Sequence, residues 1–122
     1  MKYGKIADRE LEFIRGVEWG QKILTKRGLK GYAFGHAGSG NLHMEILGIP
    51  EEKEQWQNVE EAGEEIVGFA LEWGGTATGE HGVGIGKRKF MRREHRESVN
   101  LMKQIKELLD PNGIMNPGKI FE

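Results

Sequence analysis

Glycine fills 19 of the 122 positions, about twice its usual share, and most of these glycines lie between Gly28 and Gly86. Each one raises the entropy lost on folding. A stretch that keeps so many therefore needs turns or close backbone approaches that other residues resist. Three of the four histidines sit in the same stretch, within Gly35-His36-Ala37-Gly38-Ser39-Gly40-Asn41-Leu42-His43 and Gly79-Glu80-His81-Gly82. Neutral imidazoles with one carboxylate are common ligands of a divalent metal such as zinc. The chain reads first as a small fold built around a metal or proton-transfer site.

The length leaves room for one domain, residues 1–122, with a modest core, and apolar residues make up only 37%. Lys plus Arg total 18 and Asp plus Glu 19, so no general field draws the chain to nucleic acid or acidic membranes. The absence of cysteine excludes disulfides, thiolate metal sites and cysteine nucleophiles, which fits a reducing, cytoplasmic setting. No apolar run approaches the roughly 20 residues needed to span a bilayer, so the expectation is a soluble, non-transmembrane chain.

Periodicity supplies the elements. Phe13, Val17, Gly20 and Leu24, widened by Leu11, Ile14 and Ile23, predict a helix from Asp8 to about Arg27 that stops at Gly28. Residues 31–36 read as a strand. After the Ala37–Gly40 turn, Leu42, Met44 and Ile46 alternate with Asn41, His43 and Glu45, which sends the apolar set to the core and His43 to the other face. Pro50 and the acidic residues after it open a second helix, with a stripe of Trp56, Val59, Gly63, Ile66, Val67, Ala70 and Trp73. A short, glycine-broken strand running into a loop over Thr76–Ile85 and a last helix carrying Met91, His95, Val99, Met102, Ile105 and Leu109 follow, ended by Asp110-Pro111-Asn112-Gly113. The order α, β, β, α, β, α implies an α+β fold, a small antiparallel sheet covered by helices. Three strands make a thin sheet whose edge invites another domain or chain, a homo-oligomer included.

A hairpin brings His36 and His43 together, Glu80 supplies an oxygen ligand, and a position stays open for substrate, as in catalytic rather than closed metal sites. An unperturbed imidazole titrates near neutrality, so a histidine at position 81, His81, is suited to accept a proton. In a regular strand Glu80 and His81 would face opposite ways; Gly79 and Gly82 permit the kink that relaxes this. His95 reads as a hydrogen-bonded helix residue. Lys87, Arg88, Lys89, Arg92, Arg93 and Arg96 form a basic run that reads as a solvated helix face and could also attract an anion. A phosphate-binding loop ending at Gly86-Lys87 fails, because His81 and Arg88 stand where glycine and a hydroxyl residue are required. Ser39 lacks the glycines two before and two after it that a nucleophile elbow requires.

The segments GHAGSGNLH, WGGTATGEHGVGIGK and DPNGIMNPGKIF, in that order, resemble the C-terminal part of FAD-linked 2-hydroxyacid oxidases and dehydrogenases of the vanillyl-alcohol-oxidase type. That family includes the glycolate oxidase FAD subunit, D-lactate dehydrogenase and D-2-hydroxyglutarate dehydrogenase. The similarity covers roughly residues 9 to 121. It implies part of a ferredoxin-like cap domain, with His36, His43 and Glu80 as divalent-metal ligands and His81 as the base for the substrate hydroxyl. Asn116 and Lys119 match the segment that returns to the flavin, which makes them the implied cofactor contacts.

In such an enzyme the base takes the hydroxyl proton while hydride passes from C2 of the 2-hydroxy acid to the flavin. The FAD-binding domain of the family has no counterpart in this sequence, so FAD is expected to be bound by another domain or partner chain and the chain alone to be inactive. Ser39 replaces the family's usual aspartate, removing a carboxylate able to orient a metal-bound imidazole. Glu45 stands where hydroxyglutarate-type members carry asparagine; its charge would repel a second substrate carboxylate, which favours a glycolate- or D-lactate-type substrate. The alternatives are a non-catalytic metal-binding or subunit-interaction module and, more distantly, a metallohydrolase.

Overall fold

The structure, a computed structural model, describes residues 2–121, with side chains from residue 11 onward. The chain forms two compact units, one running through Gly74 and one starting at Gly75.

The first unit holds helix α1 (Lys2–Lys26), strands β1 (Lys30–His36) and β2 (Asn41–Leu47), and helix α2 (Lys53–Glu72). β1 and β2 pair antiparallel from Lys30 opposite Leu47 to His36 opposite Asn41. One face of β1 carries nothing larger than a methyl group, namely Gly31, Ala33 and Gly35, and α1 lies against that face. A Cβ on Gly31 would sit 2.7 Å from Leu24 Cδ1, and one on Gly20 would sit 2.1 Å from Met44 Cε. The core is Ile23, Leu24 and Ala62, with Leu29, Met44, Ile46 and Ile66 packed around it. The apolar set of β2 thus goes inward as its alternation requires. Leu11 and Ile14, expected in the buried stripe of α1, are instead exposed. A 25-residue helix is about 37 Å long, whereas a seven-residue strand spans about 23 Å, so α1 overruns the hairpin it covers.

Both helix ends in this unit are legible. Gly28, at φ 67°, ends α1 with the Leu29 amide donating back to the Leu24 carbonyl, and Gly74, at φ 77°, follows α2 in the same left-handed conformation. Arg27 ties the two helices together. Its guanidinium donates to Asn58, Glu61 and Glu65, and its carbonyl accepts from the Asn58 side chain. That hydrogen bond from Arg27, with a second from Gln57, holds the Glu61 carboxyl below its ordinary value. Pro50 lies in a turn closed by Glu52 N–H to Ile49 O, one turn ahead of α2 rather than inside it.

The second unit holds a single 3-10 turn at Arg88–Phe90, a short helix α3 (Met91–His95) and helix α4 (Ser98–Leu109). The expected strand over Thr76–Ile85 does not form; among the described residues the sheet has two strands, and this segment is a succession of turns. Its glycines take φ of 20° at Gly79, 75° at Gly82 and 53° at Gly84, which interrupts any ladder. The expected single last helix is also divided, at Arg96, whose φ of 49° no α-helix accommodates. Met91 and Val99 are buried on either side of the break, while Ile105 and Leu109, expected in the core, are half or more exposed. Asp110-Pro111-Asn112-Gly113 forms the expected turn, closed by Gly113 N–H to Asp110 O. No helix among the described residues is long and apolar enough to cross a membrane.

Candidate functional site

The hairpin decides where two of the histidines go. Phe34 lies opposite His43 and His36 opposite Asn41. Opposed residues share a face, so His36 and His43 become diagonal neighbours on the face turned away from α1. Their rings are 6.4 Å apart between centroids and nearly perpendicular. A ring nitrogen of one lies within 4.8 Å of a ring nitrogen of the other, and with zinc–imidazole bonds of about 2.0–2.1 Å the two close on one ion after a modest turn of the rings. The donor set therefore fits a divalent metal: two imidazoles on one face of the hairpin, fixed by the register.

Phe34 adds a constraint that the sequence alone did not single out. Its ring stacks on His43 at 5.2 Å with 16° between planes, which restricts rotation of the imidazole. The period-two sequence Tyr32, Phe34, His36 was the available signal, usable only once the register was known. Between the strands, the turn is closed by Gly40 N–H to Ala37 O, with Gly40 left-handed at φ 72°. The Ser39 hydroxyl donates to the His36 carbonyl at 3.1 Å, so this serine serves the turn. Glu45 lies opposite Tyr32, on the same face as His43.

In the second unit, Glu80 and His81 are brought together on an exposed turn, with His81 Nε2 3.2 Å from Glu80 Oε1. Gly79 and Gly82 bend the backbone at positive φ on either side of this pair, although no strand is involved. The turn is anchored on both sides. Upstream, the Glu94 carboxylate accepts from the Thr76 hydroxyl at 2.5 Å and from the Ala77 amide at 3.0 Å. Downstream, Ile120 N–H donates to Gly84 O at 2.8 Å, and Arg88 donates to Gly118 O at 3.0 Å. His95, on α3, lies 3.6 Å from Glu94.

Asn116 and Lys119 are the first and last residues of a tight turn through Pro117 and Gly118, closed by Lys119 N–H to Asn116 O. Proline second and a left-handed glycine third, at φ 69°, are what this turn type demands. Asn116 itself is left-handed at φ 46°, a conformation asparagine tolerates better than most residues. Both side chains are exposed. The tail is held by buried Asp110, which pairs with Lys106 and accepts from the amides of Ile114 and Met115. The Lys106 bond is the main cause that keeps the Asp110 carboxyl below its ordinary value, with the two amides assisting against burial.

Residues 12–120 match the family described as FAD linked oxidases, C-terminal domain. The chain belongs to this family. Members with curated names include a mitochondrial D-lactate dehydrogenase [cytochrome] of Arabidopsis thaliana, 48% identical over 70% of this chain and 15% of that protein. The glycolate oxidase subunit GlcD of Bacillus subtilis is 42% identical over 81% of this chain and 21% of that protein. A D-2-hydroxyglutarate dehydrogenase of Stutzerimonas stutzeri is 37% identical over 72% of this chain and 20% of that protein. This FAD-linked oxidase C-terminal domain thus spans about a fifth or less of the length of these relatives.

Proposed function

We propose that this chain is the substrate- and metal-site portion of an FAD-dependent oxidoreductase that converts a small 2-hydroxy acid, of the glycolate or D-lactate type, to the 2-oxo acid. The observation that carries the reading is the His36–His43 pair on one face of the hairpin, in a chain of the FAD-linked oxidase family. In this proposal both units act as one domain, and Glu80 joins the two imidazoles around a divalent ion. FAD is carried by a further domain or a partner chain, with Asn116 and Lys119 touching it. When bound, the ion supplies a positive charge that draws in the hydroxy acid and acidifies its hydroxyl, and the flavin supplies a two-electron acceptor.

The proton is the business of His81. With a ring nitrogen paired to Glu80, the His81 imidazole takes the hydroxyl proton, and the Glu80 carboxylate then stabilises the imidazolium. The C2 hydrogen leaves as hydride, so one proton and one hydride account for the two-electron oxidation. Glu45, on the same sheet face as His43, repels a substrate with a second carboxylate.

The test is complementation. The chain is mixed with the FAD-bearing remainder of a relative such as the Bacillus glycolate oxidase subunit, and flavin bleaching by glycolate and D-lactate is followed. His81→Ala is expected to lower kcat by about 10²–10⁴-fold. Zinc titration of the chain alone is expected to show one site, lost in His36→Ala and in His43→Ala. Turnover indifferent to His81 would end the mechanistic reading. Zinc binding and association with the flavoprotein but no turnover would favour the subunit-interaction module, a reading the serine at position 39 also supports.

A further inference from the structure

The loop that carries Glu80 and His81 has no regular structure, so something else must fix its course. Glu94 sits on α3, outside the histidine segments, with its side chain only 13% exposed. One carboxylate oxygen accepts the Thr76 hydroxyl and the other accepts the Ala77 amide. Thr76 has a single hydroxyl proton, and Glu94 takes it. The 3.1 Å contact between the Thr76 and Thr78 hydroxyls must then run from Thr78 to Thr76, and the Thr78 amide donates to the same oxygen at 3.3 Å. Four donors from three consecutive residues thus point, directly or through Thr76, toward one carboxylate. Hydrogen bonds to an ionised acceptor are the stronger kind, and a chain of them polarises along its length. The chain ends one residue before Gly79, where the backbone bends into Glu80 and His81.

We infer that Glu94 is a positioning residue: acting through Thr76, Ala77 and Thr78, it sets the backbone that presents Glu80 and His81. This rests on the metal-site reading above for its consequence, though not for its geometry. A glutamine at position 94 keeps one acceptor, enough for the Ala77 amide. Its NH₂ would then meet Thr76 Oγ1 and force the two threonine hydroxyls to reverse their donation.

The experiment measures zinc affinity by calorimetry on the whole chain, with thermal unfolding recorded in parallel and amide exchange followed at residues 78–82. Glu94→Ala and Thr76→Val are each expected to weaken zinc binding about tenfold. The double variant should be no worse than Glu94→Ala alone, because both act through one network. Thr76→Ser should restore wild-type affinity, and Glu94→Gln should fall between. A folded Glu94→Ala chain that binds zinc within twofold of wild type, with unchanged exchange at 78–82, overturns the inference. If Glu94→Ala does not fold, Glu94→Gln and Thr76→Val carry the comparison, and wild-type affinity in both overturns it. If the wild-type chain binds no zinc, the metal-site reading fails. Glu94 is then judged by exchange alone, faster at 78–82 in the variants if it positions the loop and unchanged if it does not.

Discussion

The hairpin and the glycine turn each present histidine chemistry, but they hold it by different means. In the hairpin, position follows from the ladder: once Phe34 pairs with His43, the two imidazoles share a face whatever the outward side chains are. In the turn around Glu80 and His81, position follows from a few named polar contacts, from Glu94 on one side and Ile120 and Arg88 on the other. A ladder is distributed and tolerates loss of any one outward side chain. A turn held by single contacts loses its shape one contact at a time.

The hairpin should therefore fail through packing, and the largest effect is expected there. Leu24, the one fully buried large side chain among the described residues, anchors α1 on β1, and Leu24→Ala should destabilise the fold by about 2–5 kcal/mol in denaturant unfolding. Next comes Gly35→Ala. The added methyl would stand 2.1 Å from the Asn41 carbonyl oxygen, with Asn41 C and Leu42 Cα close behind, and these backbone atoms cannot step aside. A loss of about 1–3 kcal/mol is expected, with weaker zinc binding as His36 and His43 part. A variant as stable as wild type would show that the ladder is looser than its register implies.

The second unit should instead fail through protonation or loss of a polar partner. Because the Asp110 carboxyl is held low by Lys106 and two amides, its contribution is fully present above the ordinary carboxyl value near ~3.9 and disappears as pH falls through the lower, folded value. Amide protection of Ile114 and Met115 should drop in that acid range. Asp110→Asn should lose the protection already at neutral pH and flatten the acid limb, read by hydrogen exchange. The smallest effect is a gain. Arg96 sits at φ 49° and ψ −124°, a region that favours glycine, so Arg96→Gly should stabilise the chain by about 1 kcal/mol, read as a raised Tm.

What was legible in the sequence follows the same division. Alternation along β2 and the glycines at 28 and 40 located the first unit to within a few residues, because period and left-handed turns are local properties. The nearness of His36 to His43 followed from the hairpin alone. The second unit was harder to see. Thr76–Ile85 has the length of a strand and β-branched residues at Thr76, Thr78, Val83 and Ile85, but glycines at positive φ bend it at Gly79, Gly82 and Gly84. The break at Arg96 has no glycine or proline to announce it, and Glu94 is indistinguishable in sequence from the charged residues around it. Contacts between side chains distant in the chain leave no periodic trace.

The bare inner face of β1 has a consequence for tuning. With only hydrogens and one methyl on Gly31, Ala33 and Gly35, there is no cushion of side chains between the helix and the strand. Leu24 of α1 rests directly against the Gly31 backbone, so the helix fixes the strand at the end opposite His36. Gly16 and Gly20 face Leu42 and Met44 of β2, so a larger residue at either would press from the inner side on the strand that carries His43.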